Sequence, residues 1–280
     1  MQTRGVEHML RVVPPALCAR VREKVLRHAA SAASGRSLRD RVLNFLGYHP
    51  NSDVLSPRHR QHVALGWTDD VESILRLATR AAAPAFARAG ITHGSRLVEL
   101  SSMVAFPGAE EQNVHSDVRP DAKRRICTLW VALQMVESAN GPTFYYPRDP
   151  NDLDSFDWKR LTGEAVGPVV YGADGEVEYD PNAAMDTDDH PFKGVEPARC
   201  VMDAGDAFLM DCRTWHGGGA NTGQVPRAMV SATFREDPPS DNGGLVEVEG
   251  EEEDGGGDDD GFTYRLGPEI PRFTLGELLR

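Results

Sequence analysis

Hydrophobic positions recur at helical spacing through the first third of the chain. Over residues 15–46, Leu17, Val21, Val25, Leu26, Leu38, Val42, Leu43 and Leu46 stand among Arg and Lys, with a break near Ser34 and Gly35. The segment VESILRLATRAAAPAFARAG repeats this character up to Gly90, and Pro84 inside it predicts a kink or a break. Residues 1–95 therefore read as mainly α. From Arg96 the texture changes to short runs rich in Val, Thr and aromatic residues, punctuated by Gly, Pro and Asp. RLVELSSMVAF, ICTLWVALQMV, PTFYYP, RCVMDAG, AFLMDC and RAMVSATFRE all suit strands. Many short strands with turn punctuation predict a β-sandwich or barrel. Between Pro147 and Arg199 lies a polar stretch longer than an ordinary loop, read as an active-site lid or a disordered insertion.

Composition changes this picture in two places. A chain of 280 residues, 40% of them hydrophobic, supports one substantial core with extensions. The formal charge of -13 is concentrated: residues 241–260 carry ten acidic side chains and no Lys or Arg, and without them the remainder is close to neutral. Such an anionic run is expected to be solvated and disordered, and neither it nor the body suggests a nucleic-acid surface. No apolar run approaches the length of a membrane span, and MQTRGVEHMLRVVPP has no signal-type apolar stretch, so a cytoplasmic protein is expected. The four cysteines lack C-x-x-C spacing and are expected to be reduced and mostly buried.

Three elements carry candidate chemistry. NVHSD places His115 and Asp117 two residues apart, so that on extended backbone both side chains project to one side. In GDAFLMDCRTWHGGG, an apolar strand ends shortly before His216. In VPRAMVSATF, Arg227 follows His216 by eleven residues on another strand, and a hairpin would return it to the same cavity. No one of these is decisive, because H-x-D pairs arise by chance among nine histidines and 24 aspartates. Their order is what counts. Two imidazoles and one carboxylate on one face of an octahedral ion form the facial triad of oxygen-activating Fe(II), which leaves three positions open. A bidentate 2-oxo acid takes two and O2 the third. A guanidinium then answers the far carboxylate of 2-oxoglutarate with two parallel charge-assisted hydrogen bonds, which lysine does not reproduce.

With HSD, the run RRICTLWVALQMVESANGPTFYYP, and GDAFLMDCRTWH followed by Arg227, residues 96–236 resemble the phytanoyl-CoA dioxygenase family of Fe(II)/2-oxoglutarate oxygenases. The resemblance implies an α+β fold: a double-stranded β-helix (jelly roll, cupin-like) core with N-terminal helices packed on one sheet. The chain is accordingly divided into a helical extension over 1–95, a catalytic core over 96–238 with an insertion at 147–199, an acidic Gly-rich linker or loop over 239–261 and a C-terminal segment over 262–280. The insertion and the acidic stretch depart from the family and have no counterpart in it. The resemblance further implies that His115, Asp117 and His216 ligate iron and that Arg227 binds 2-oxoglutarate. By position relative to Gly141, Thr128 matches a hydroxyl residue sharing that carboxylate, and Trp130 an aromatic lining the same pocket; Ser231 is a further cosubstrate candidate. The expected reaction is hydroxylation of an unactivated C–H bond of a small molecule, using O2 and releasing succinate and CO2. Desaturation or ring closure on the same site, and a cupin-type metal-binding sensor without turnover, are the alternatives. Oligomeric state is not legible. The insertion, with 13 acidic residues against five Lys or Arg, would repel a CoA thioester as a lid, so a neutral or cationic substrate is favoured.

Overall fold

A computed structural model describes residues 5–33, 59–112, 114–118, 124–147, 169–171, 177–179, 195–236 and 271–280. Eleven strands and three helices are assigned among them. In chain order these are β1 (Val6–Met9), α1 (Pro15–Ala33), β2 (Arg60–Ala64), α2 (Asp69–Ala89), β3 (Arg96–Ala105), β4 (Ile126–Ala132) and β5 (Thr143–Tyr145). Then follow β6 (Val169–Tyr171), β7 (Val177–Tyr179), β8 (Ala198–Arg199), β9 (Ala207–Asp211), β10 (His216–Gly218), β11 (Arg227–Arg235) and α3 (Leu275–Leu279). A six-stranded antiparallel sheet has the order β1-β9-β4-β11-β3-β2 and a three-stranded one the order β10-β5-β8, while β6 and β7 pair with each other.

The helices form for local reasons and hold for global ones. At the start of α2, the Thr68 hydroxyl caps the Val71 amide, and Asp69, Asp70 and Glu72 put negative charge in the first turn, where the helix dipole favours it. Gly90 ends α2 at φ 75°, a left-handed conformation that suits glycine. Of the expected kink or break at Pro84, the break is not found: α2 runs on to Ala89, held by a buried stripe that includes Ile74, Leu75, Ala78, Ala82 and Phe86. Those residues join one apolar cluster with Val21 and Val25 of α1 and with Leu100, Leu129, Leu209, Val230 and Phe234 of the large sheet. The α3 helix closes a capping box between Thr274 and Glu277 and packs on α2, whose Arg76 and Arg80 donate to the carbonyls of Glu277 and Arg280.

To the mainly helical reading of residues 1–95 the structure adds two short strands, β1 and β2, which form the two edges of the large sheet. VEHM and RQHVA are four and five residues long, with too little apolar alternation to announce themselves. The continuation of the first helical pattern over 34–46, most of the 147–199 stretch and the acidic run at 241–260 lie outside the described residues. All four cysteines are free and buried, as expected.

Candidate active site

His115, Asp117 and His216 converge on one point from separate segments. The backbones of His115 and His216 form an antiparallel bridge: each amide donates to the other's carbonyl, at 2.9 and 2.8 Å. Their rings face each other with centroids 4.5 Å apart. Two residues on, the Asp117 amide donates to the Cys212 carbonyl at 2.9 Å, which turns its carboxylate toward the same point. Asp117 Oδ1 lies 3.7 Å from His115 Nε2 and 3.6 Å from His216 Nε2, and the three donor atoms lie within 4.8 Å of one another. Three donors at right angles and about 2.1 Å from one ion stand about 3 Å apart, so a modest inward movement completes the set. His216 is also pre-set electronically. Its Nδ1 lies 2.9 Å from the Thr214 carbonyl, which can only accept, so the proton sits on Nδ1 and Nε2 offers its lone pair. Among the described residues this is the single cluster of three or more His, Cys, Asp or Glu with metal-binding proximity.

The glycines after His216 have a packing reason. A Cβ on Gly217 would stand 2.6 Å from the Phe144 ring, and one on Gly218 2.5 Å from Gln112 Oε1 and 2.6 Å from Arg60 Nη1. Only bare backbone lets β10 lie this close to its neighbours. Gln112 then clasps Gly218 from both sides, its amide donating to the Gly218 carbonyl and its side-chain oxygen accepting from the Gly218 amide.

Arg227 opens β11 at 2% exposure, on the face turned away from the helices. Nη1 donates to the Gly141 carbonyl at 2.6 Å, while Nε is buried with no hydrogen-bond partner. No carboxylate among the described residues pairs with it. Burial, and then the nearby charge of Arg60, push its pKa down to about 9. A buried guanidinium without a carboxylate partner fits a pocket that receives an anion. Arg60 was missed in the sequence. It is wholly buried, it faces Ala105 from β2 just as Arg227 faces Ala105 from β11, and its Nη2 donates to the carbonyls of Glu110, Gly218 and Gly219. Its only trace in the chain is one of two arginines in the segment PRHRQH.

The structure separates the two hydroxyl candidates from Arg227. Thr128 faces Thr233, six residues along β11 and so about 20 Å from Arg227 by strand rise, too far for both to hold one carboxylate. Both hydroxyls are committed elsewhere. Glu99 is buried, and its carboxylate accepts from Ser101, from Thr233 at 3.0 Å and from His62 Nε2 at 3.1 Å. An ionised carboxylate only accepts, which directs the Thr233 proton toward it. Ser101 Oγ lies 3.1 Å from Glu99 Oε1 and also meets His62 Nε2 and the Ser231 hydroxyl, each at 2.7 Å, so the Ser231 hydroxyl is tied into the same network. Thr233 gives its proton to Glu99 and therefore accepts from Thr128 at 2.9 Å, which in turn faces the Cys212 thiol at 3.3 Å. Burial opposes ionisation of Glu99, yet the donors from His62, Thr233 and Ser101 together hold its pKa below the usual carboxylate value. Trp130 differs: its indole Nε1 is buried with no hydrogen-bond partner, at the register position facing Ser231.

An antiparallel β core with a His-x-Asp and His set and a buried arginine that has no carboxylate partner among the described residues fits the class of iron- and 2-oxoglutarate-dependent oxygenases. The chain belongs to the phytanoyl-CoA dioxygenase (PhyH) family, whose profile matches residues 1–229. No curated protein sequence matches it. Among solved structures it is similar to SnoN, a non-heme alpha ketoglutarate dependent epimerase from nogalamycin biosynthesis, at 18% identity, covering 97% of this chain and 94% of that one with a TM-score of 0.56. The complex of SnoN with Fe3+, alpha ketoglutarate and nogalamycin RO gives 19% identity, coverage of 96% and 94%, and a TM-score of 0.54. HygX from Streptomyces hygroscopicus, with nickel, 2-oxoglutarate and hygromycin B bound, gives 13%, 83% of each chain and 0.51. At these identities the likeness is one of fold. Among the described residues no helix is long and apolar enough to cross a membrane.

Proposed function

We propose that this protein is an Fe(II)/2-oxoglutarate-dependent oxygenase that hydroxylates an unactivated C–H bond of a small molecule. Residues 96–238 form its catalytic core, a double-stranded β-helix supported by the large sheet facing β5, β8 and β10. His115, Asp117 and His216 hold the iron, and Arg227 holds the far carboxylate of 2-oxoglutarate. The observation that carries the reading is the conjunction of three convergent donors with an arginine that is buried and lacks a carboxylate partner. When bound, the chelated iron supplies oxygen activation: one atom of O2 enters succinate as 2-oxoglutarate loses CO2, and the other becomes the hydroxyl of the product. The chain's residues do the rest. His216, fixed by the Thr214 carbonyl, keeps Nε2 turned inward; Arg227 sets the depth of the cosubstrate; Trp130 has an N–H to offer the same ligand. Arg60 keeps positive charge beside Arg227 and ties β2 to the backbone that follows His216.

SnoN and HygX hold nogalamycin RO and hygromycin B, which supports a small-molecule substrate. The epimerase SnoN, and a carbocyclase of related fold, SnoK, support a second reading on the same site, in which the substrate radical inverts or closes a ring. With 18O2, hydroxylation labels the product, whereas epimerisation and ring closure do not. The class itself is tested by anaerobic titration of Fe(II)-loaded protein with 2-oxoglutarate, which is expected to develop a weak visible charge-transfer band. Folded, iron-loaded protein without that band would refute the reading, and Asp117→Ala is expected to abolish iron-dependent succinate formation.

A further inference from the structure

The large sheet bears opposite charges at the two ends of its inner face. At one end stand Arg227 and Arg60, both facing Ala105. Toward the other stands Glu99, whose partner Thr233 lies six residues along β11 from Arg227. The candidate metal ligands fall between. His216 is two residues from Gly218, whose carbonyl Arg60 holds, while Asp117 hangs from Cys212, whose thiol meets Thr128 beside Thr233. An anionic cosubstrate held at the arginine end thus leaves the carboxylate end to the other reactant.

Resting on the oxygenase reading above, we infer that Glu99 is the residue that selects the primary substrate, by accepting a hydrogen bond from a cationic amine or a hydroxyl group. The carboxylate offers about four lone-pair directions, of which His62 and Ser101 take two on Oε1 and Thr233 takes one on Oε2. One remains on Oε2 among the described contacts. The pair is not sealed off: 9% of the Glu99 side chain and 15% of the His62 side chain are open, in the range of the 7% at His216 and 16% at His115. The hydroxyls of Ser101 and Thr233 and the His62 imidazole gathered on Glu99 favour its ionised form, so a carboxylate or phosphate brought to it meets like charge. An amine there gains a charge-assisted hydrogen bond in a water-poor site. The consequence is specific: an acyl-CoA is refused, and a donor-rich neutral or cationic molecule is taken.

The test needs no knowledge of the natural substrate. Benzylamine and benzoate are probes of matched size and opposite charge, titrated under nitrogen into the Fe(II) and 2-oxoglutarate complex while the charge-transfer band is followed. Benzylamine is expected to perturb the band with a dissociation constant lower by about tenfold or more, the scale of one charge-assisted hydrogen bond. Glu99→Gln, which keeps shape and most of the hydrogen bonding, is expected to develop the same band with 2-oxoglutarate but to lose the preference. Benzoate binding as tightly as benzylamine, silence of the wild type toward both probes, or a preference that persists in Glu99→Gln would each overturn the inference. Failure of the wild type to develop the band at all would instead sink the oxygenase reading. The wild-type comparison stands whether or not the variant folds.

Discussion

The two faces of the six-stranded sheet divide the labour of this molecule. Along β11, Ala228, Val230, Ala232 and Phe234 enter the apolar cluster shared with α1 and α2, while the alternate positions Arg227, Ser231 and Thr233 face the other way. That second face is itself split. Toward β9 and β1 it is apolar, with Phe208, Met210 and Met229 packed against Tyr145 and Met202; toward β3 and β2 it carries Glu99, Ser101, His62 and Arg60. One face is close-packed hydrocarbon, and the other spends its burial on polar groups that proton direction and charge must satisfy. The difference teaches that a strand with period-two alternation can serve stability and chemistry at once, each by every second residue.

Substitutions on alternate positions of β11 should separate the two roles. The largest effect is expected from Phe234→Ala, which removes a fully buried ring in edge-to-face contact with Phe86 at 5.0 Å. It should lower unfolding free energy by about 3–5 kcal/mol in denaturant titration, while 2-oxoglutarate affinity of the folded fraction holds. Arg227→Met should do the reverse. Loss of a bidentate charge-assisted contact is expected to raise the 2-oxoglutarate dissociation constant by about a hundredfold, some 3 kcal/mol. Ligand-free stability should be unchanged or higher, because a desolvated charge without a carboxylate partner is removed. A clear loss of ligand-free stability would mean that Arg227 is structural. The smallest effect is expected from Thr233→Val, about 1–2 kcal/mol for one buried hydrogen bond. Its pH signature is more telling than its size. Glu99 has a depressed folded pKa, so it stabilises the fold above its unfolded pKa and loses that contribution as pH falls through the folded value. Removing the Thr233 donor raises the folded pKa, so the acid unfolding midpoint should move to higher pH. A midpoint that stays in place would separate Glu99 from acid stability.

The candidate metal ligands were legible because their chemistry leaves an order in the chain: H-x-D on extended backbone, a distant His after an apolar strand, then an arginine on the next strand. The strands from Arg96 onward were legible for the same reason, since β-branched runs between turns leave a periodic trace. Thr128 and Ser231 were assigned to the cosubstrate from residue type and position, but where a hydroxyl proton points depends on its neighbours. Both turn on Glu99, which in RLVELSS is one acid among strand residues. Arg60 and His62 were invisible because β2 is a five-residue edge strand whose partner, β3, begins more than thirty residues later. Pro84 shows the opposite limit. Its local preference against helix was overruled by the tertiary burial of the residues on either side.

The mutual backbone clasp between His115 and His216 has a consequence for how the pocket opens. Each amide is held by the other's carbonyl, and His216 is held in addition by β5, so the segment that carries His115 is anchored directly to the strand that carries His216. Peeling the His115 segment away costs both of these bonds at once, so the two histidines keep their spacing unless a paired backbone contact is broken. For a centre that handles dioxygen, such fixed spacing guards against misdirected oxidation, and much of it resides in two peptide groups.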